Sequence, residues 1–187
     1  MHVFKSYFQY VNDPEQALWA LLEERSFAQA CVGYLAAALS WVLFFNIGDG
    51  LSVPSFLCKL AVVFSAELTA GYLLAAFCGM ILDFWRVETS PVKLFVLIGS
   101  AGFIKGLLIA FALISAAVPG AHLGWLAPLG LLSVFSLQLG YLTRGVHRTY
   151  EISYTKAATA WIMACVPAVV LLGLLVVFLV WGLVLLF

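Results

Sequence analysis

Five long apolar runs set the limits on what this chain can fold into. They cover about residues 27–47, 56–82, 92–118, 122–143 and 157–187. Each reaches the roughly 20 residues needed to cross a hydrocarbon core about 30 Å thick. Inside a bilayer only helices and closed barrels satisfy every backbone polar group, and runs of this length are helical. The connections between them leave no room for a soluble domain. With 65% hydrophobic and only 10% charged residues, the chain also lacks the polar surface of a water-soluble fold. The expected fold class is all-α, a polytopic membrane protein. Residues 27–187 would form one five-helix transmembrane domain, preceded by an N-terminal amphipathic interfacial segment over 1–26.

Charge predicts the orientation. Lys5 and Arg25 precede the first run, Arg86 and Lys93 flank the second connection, and Arg144, Arg148 and Lys156 fill the fourth. The stretches 48–55 and 119–121 and the C-terminus carry no Lys or Arg. Positive residues at the ends of spans mark the cytoplasmic side. The N-terminus is therefore expected inside and the C-terminus outside, which requires an odd number of crossings. Trp161 and Trp181, twenty residues or about 30 Å apart along a helix, suit the two interfaces of the last span. Pro167 is expected to kink that span.

The first 26 residues have the marks of interfacial structure. Asp13 suits an N-cap, Pro14 the first helical position, and Gln16 the place three residues after the cap. Ala17, Leu18, Leu21 and Leu22 would form an apolar face, with Glu15, Glu23 and Glu24 opposite. Such a helix either lies on the membrane or a partner, or packs under its own bundle.

Lys59 and Lys105 fall within the apolar runs, and the most unusual residues are the two charges near mid-run. Glu67 lies eleven residues from the start of the second run, and Lys105 thirteen from the end of the third. On antiparallel helices rising 1.5 Å per residue, the two differ in depth by only about 3 Å. A lone central charge costs roughly 2.5–3.5 kcal/mol on insertion scales, so the two are expected to pair. Gly71, Ala75 and Gly79 continue a small-residue stripe from Glu67. Gly102, Gly106 and Ala110 form another around Lys105, a spacing that lets membrane helices approach closely. The pair is read either as a latch between the second and third spans or as part of a proton or solute pathway.

Other chemistry is thin. The sequence has no phosphate-binding loop, no nucleophile elbow and no zinc-protease motif. His2, His122 and His147 fall at different interfaces, and the four cysteines have neither paired nor metal-ligand spacing. No metal, no cofactor and no enzymatic activity are expected. The formal net charge of zero gives no basic surface for nucleic acid. In the fourth connection, Arg144, His147, Arg148 and Lys156 could hold lipid head groups or an acidic partner surface. Ordinary positive-inside composition is the plainer account of the same residues.

The segment LGYLTRGVHRTYEISYTKAATAWIMACVPAVV, residues 139–170, combines the end of a span, a basic polar turn, the small pair Ala157-Ala158 and a proline in the following span. Together with the short Pro-containing N-terminal segment and the five runs, it resembles the membrane domain of the Yip (Ypt/Rab-interacting protein) family, in a compact bacterial form. That resemblance implies a five-span bundle in the bacterial inner membrane. Membership of the compact bacterial form implies no settled activity; the chain is expected to work through other integral membrane proteins or membrane lipid, as a homo- or hetero-oligomer. The long cytosolic region and the D-L-Y-G-P motif of the eukaryotic members are absent, so their GTPase binding does not carry over. The expected function is a non-catalytic polytopic scaffold or accessory subunit. The alternative is a transporter or permease-like component that uses Glu67 and Lys105.

Overall fold

The computed structural model describes residues 27–46, 52–117 and 125–186; the N-terminal helix expected over 1–26 lies outside them. The described residues form α1 (Phe27–Asn46), α2 (Val53–Phe84), α3 (Pro91–Ala101), a 3-10 stretch (Gly102–Gly106), α4 (Leu107–Ala117), α5 (Leu126–Thr149) and α6 (Tyr154–Leu186). No strand occurs among them. Five segments are long and apolar enough to cross a membrane: α1, α2, the composite Pro91–Ile114, α5, and Tyr154–Leu175 of α6. The chain thus has the make-up of an all-helical, multi-pass membrane protein.

Local sequence explains where the helices begin and end. Ser52 and Ser90 precede α2 and α3 in extended conformation, each followed by a proline in the first turn. The fixed φ of proline suits that position, and its missing N–H costs nothing there. At the end of α2, the N–H of Arg86 bonds to Asp83 O and that of Val87 to Leu82 O. This is the double bond of a Schellman cap, with Arg86 at φ 60° in the place where glycine is usual.

One boundary and one helix interior differ from expectation. The fourth span runs on to Thr149 rather than ending near 143. Arg144, His147 and Arg148 therefore ride on the last turns of α5, where cations are favoured by the helix C-terminus. The third span is interrupted: GFIKG winds as a 3-10 helix in its middle. Pro167 lies inside α6, which continues as helix on both sides of it.

The third span is the centre of the bundle. Every residue from Leu94 to Ala101 is buried. It packs against α1, α2 and α5, while α6 closes on α2 and α5. The tightest approach is between α1 and α3. A Cβ on Gly33 would lie 1.9 Å from Gly99 O, and one on Gly102 would lie 2.4 Å from Gly33 O. Only hydrogen fits between these backbones, the arrangement that small residues permit in membranes. Tyr34 then reaches across to donate to Phe95 O at 3.0 Å.

The connection between α2 and α3 meets the one between α5 and α6 at one end of the bundle. The Tyr150 hydroxyl donates to Ser90 O and accepts from Ser90 N–H, both at 3.3 Å. Burial raises the pKa of this phenol above its usual value, chiefly by desolvation.

Candidate functional site: a charged cluster between the first three spans

Glu67 and Lys105 meet. Lys105 Nζ donates to Glu67 Oε1 at 2.7 Å and to Oε2 at 2.8 Å. The Lys105 side chain is 10% exposed and that of Glu67 15%. The 3-10 stretch presents the lysine from the third span, and the middle of α2 presents the carboxylate. Because one ammonium bridges both carboxylate oxygens, the two charges compensate each other locally, as intramembrane charges must.

A third residue completes the cluster, and sequence reading missed it. Trp41 of α1 donates its indole N–H to Glu67 Oε1 at 2.7 Å. Lys105 Nζ also lies 5.7 Å from the centroid of the Trp41 ring, within the range of a cation–π attraction. Phe45 stacks on the indole at 5.5 Å and Phe135 of α5 tilts against it at 6.1 Å. The carboxylate thus accepts three hydrogen bonds from two helices other than its own. The available signal was a tryptophan six residues inside the end of an apolar run. At that depth it looks like an ordinary interface anchor.

The small-residue stripes serve the expected pairing of the second and third spans only in part. A Cβ on Gly71 would strike the Tyr34 ring of α1, the nearest atom at 2.2 Å, while Gly79 faces Thr89, Leu94 and Pro91 at the start of the third span. Ala75 is buried in the core. Gly102 packs on Gly33 of α1 rather than on α2. Around Gly106 a Cβ would meet nothing within 4 Å, and Ala110 is exposed. The packing expected of Gly106 and Ala110 is therefore corrected. A regular helix would keep Gly102, Gly106 and Ala110 on one face, and the 3-10 turn breaks that alignment.

Two spaces adjoin the cluster. One is a cavity of about 370 Å³ to which all five spans contribute, among them Tyr34, Gly71, Lys105, Gln138 and Trp161. The other is a wider groove of about 790 Å³ between the far halves of α1 and α2, with Lys59 and Asn46 at its rim. Glu67 borders both.

The basic residues at the other end of the bundle are dispersed. His147 Nδ1 contacts Ile152 O, and its ring stacks on Tyr154 with centroids 3.9 Å apart. Arg148 is half-buried and engaged within the fold, whereas Arg144 and Lys156 are exposed. The four residues share one end, but His147 is engaged with Ile152 and Tyr154. Among the described residues no group of three or more His, Cys, Asp or Glu could hold a metal ion. No family model matches the chain, and neither does any curated protein or solved structure.

Proposed function

We propose that this chain is a non-catalytic membrane scaffold or accessory subunit, a compact Yip-like bundle that works through membrane-protein partners or lipids. The observation that carries this reading is the closed state of the charged cluster. Both oxygens of Glu67 are occupied by Lys105, and Trp41 adds a third hydrogen bond. A carboxylate held this way joins three helices and has little left to offer a passing substrate. On this reading the N-terminus is cytoplasmic, the C-terminus is outside, and the membrane is a bacterial inner membrane. Arg144 and Lys156 then face cytoplasmic lipid or a partner. The chain works as a homo- or hetero-oligomer.

The test is recovery of the tagged chain from native membranes in mild detergent, with its companions identified by mass spectrometry. A stoichiometric integral membrane partner, or a stable self-assembly, supports the scaffold. Recovery as a bare monomer from every detergent tried removes it.

Transport is the second reading, and the central cavity of about 370 Å³ beside Glu67, Lys105 and Gln138 is what favours it. Uptake into proteoliposomes that vanishes in Glu67→Gln, with the bundle still folded, would decide for it.

A further inference from the structure

The groove between the far halves of α1 and α2 is as apolar as lipid along its length and charged at one end. Val62, Val63, Ala66 and Ala70 of α2 form one wall and Phe45 of α1 stands opposite, with Leu172 of α6 closing it. Its volume of about 790 Å³ falls within the roughly 300–1,000 Å³ usual for ligand sites. We propose that this groove binds one anionic membrane phospholipid, its phosphate on Lys59 and an acyl chain lying along α2 toward Glu67. The proposal rests on the reading of the chain as a membrane scaffold that acts in part through lipid, and names the lipid.

Three observations support this occupant. Lys59 stands near the start of the second apolar run, exposed, and its Nζ donates to the neutral Asn46 Oδ1. No carboxylate lies within ion-pair distance of it among the described residues. An ammonium has three donors, so two remain for phosphate oxygens, and a cation at the edge of hydrocarbon calls for an anion. The second observation is length. From Lys59 to Ala70, at the far end of the wall, α2 rises about 16 Å. That is half of a core about 30 Å thick, the depth of one leaflet. The third is the groove's inner boundary. Glu67 is the charged residue there, and its oxygens are already bonded to Lys105 and Trp41. An acyl chain passing it meets a compensated pair instead of a bare carboxylate.

The full chain, reconstituted in phosphatidylcholine vesicles, gives a direct readout because Trp41 lines the groove. Bromine on an acyl chain quenches indole fluorescence on contact. The Trp41 signal is the difference between the wild type and Trp41→Phe, with Phe45→Trp as a second reporter should the first variant not fold. Brominated phosphatidylglycerol should quench at about fivefold lower mole fraction than brominated phosphatidylcholine, the ratio expected for one lysine near a membrane surface. Lys59→Arg should keep that preference and Lys59→Gln should erase it. Equal quenching by the two lipids overturns the proposal, as does a preference that survives Lys59→Gln. Asp49 follows Asn46 by three residues in the sequence, and a preference that emerges only in Asp49→Asn would show that this acid holds Lys59 and would also overturn the proposal. Partner recovery reads the scaffold separately: loss of lipid preference leaves it untouched, and a missing partner leaves the lipid preference intact.

Discussion

Removing one charge of the Glu67–Lys105 pair should destabilise the protein far more than removing both. The pair is bidentate, at 2.7 and 2.8 Å. Breaking a buried pair in a soluble protein costs about 3–5 kcal/mol, because the surviving charge loses its compensation. Here the side chains keep 10% and 15% exposure, and a cavity adjoins them, so the low end applies. About 3 kcal/mol is expected for Lys105→Met, or about a hundredfold in the unfolding constant. Glu67→Gln should be milder. The new amide oxygen still accepts from Lys105, and the ammonium keeps its place over the Trp41 ring. The double variant strands no charge and should lose about 1 kcal/mol, mainly the interhelical hydrogen bonds, which average about 0.6 kcal/mol each in membranes. Unfolding of the purified protein by titration with a denaturing detergent, followed by circular dichroism, measures all four corners of this cycle. If the double variant loses the sum of the two single losses, the charges act independently and the latch is refuted.

Gly33→Ala or Gly99→Ala should collapse the α1–α3 contact, since the added methyl would overlap backbone. Overpacking costs about 1–3 kcal/mol or more, whereas Gly140→Ala, with open space around it, should be neutral or gain up to about 1 kcal/mol; melting in detergent separates them. Tyr150→Phe removes the bridge to Ser90 and should lower stability by about 0.5–1.5 kcal/mol. Because burial raises the Tyr150 pKa in the folded state, its contribution is full below the unfolded value of about 10 and is lost as pH climbs past its raised value. Alkaline melts of the wild type should therefore fall more steeply than those of Tyr150→Phe once the pH rises above about 10. Leu18→Asp should weaken attachment of the N-terminal segment, with Glu23→Gln as the neutral control, read by limited proteolysis of membrane-embedded protein. Equal cleavage of the two variants would mean that no apolar face is buried there.

The apolar runs made the number of helices readable, because a membrane enforces both length and composition. Depth matching brought Glu67 and Lys105 together for the same reason: rise per residue is fixed, so position along the chain converts to height. What could not be read was direction around each helix. The stripe at Gly71 faces Tyr34 of α1. Small residues advertise close approach without saying to which neighbour. Gly33 and Gly99, the tightest contact, lay in runs so uniformly apolar that no face stood out. Trp41 belonged to the cluster but had the address of an interface anchor. The end of α5 reads as a loop in the sequence because its basic residues mimic one. In a span's last turn, cations at a helix C-terminus and a positive-inside connection look alike in sequence.

The 3-10 turn in the third span has one further consequence. An α-helix advances about 100° per residue and a 3-10 helix about 120°. Over the four steps from Gly102 to Lys105 and on to Gly106, GFIKG accumulates about 80° of extra azimuth relative to unbroken α-helix. The turn acts as a phase shifter. It lets α3 bury its whole circumference among three neighbours while α4, on the same axis, shows a different side to its surroundings. Lys105 lies near the end of the shift, so its bearing toward Glu67 depends on the winding of the backbone as much as on its depth. Tightening or relaxing those few residues would swing the ammonium around the axis without raising or lowering it.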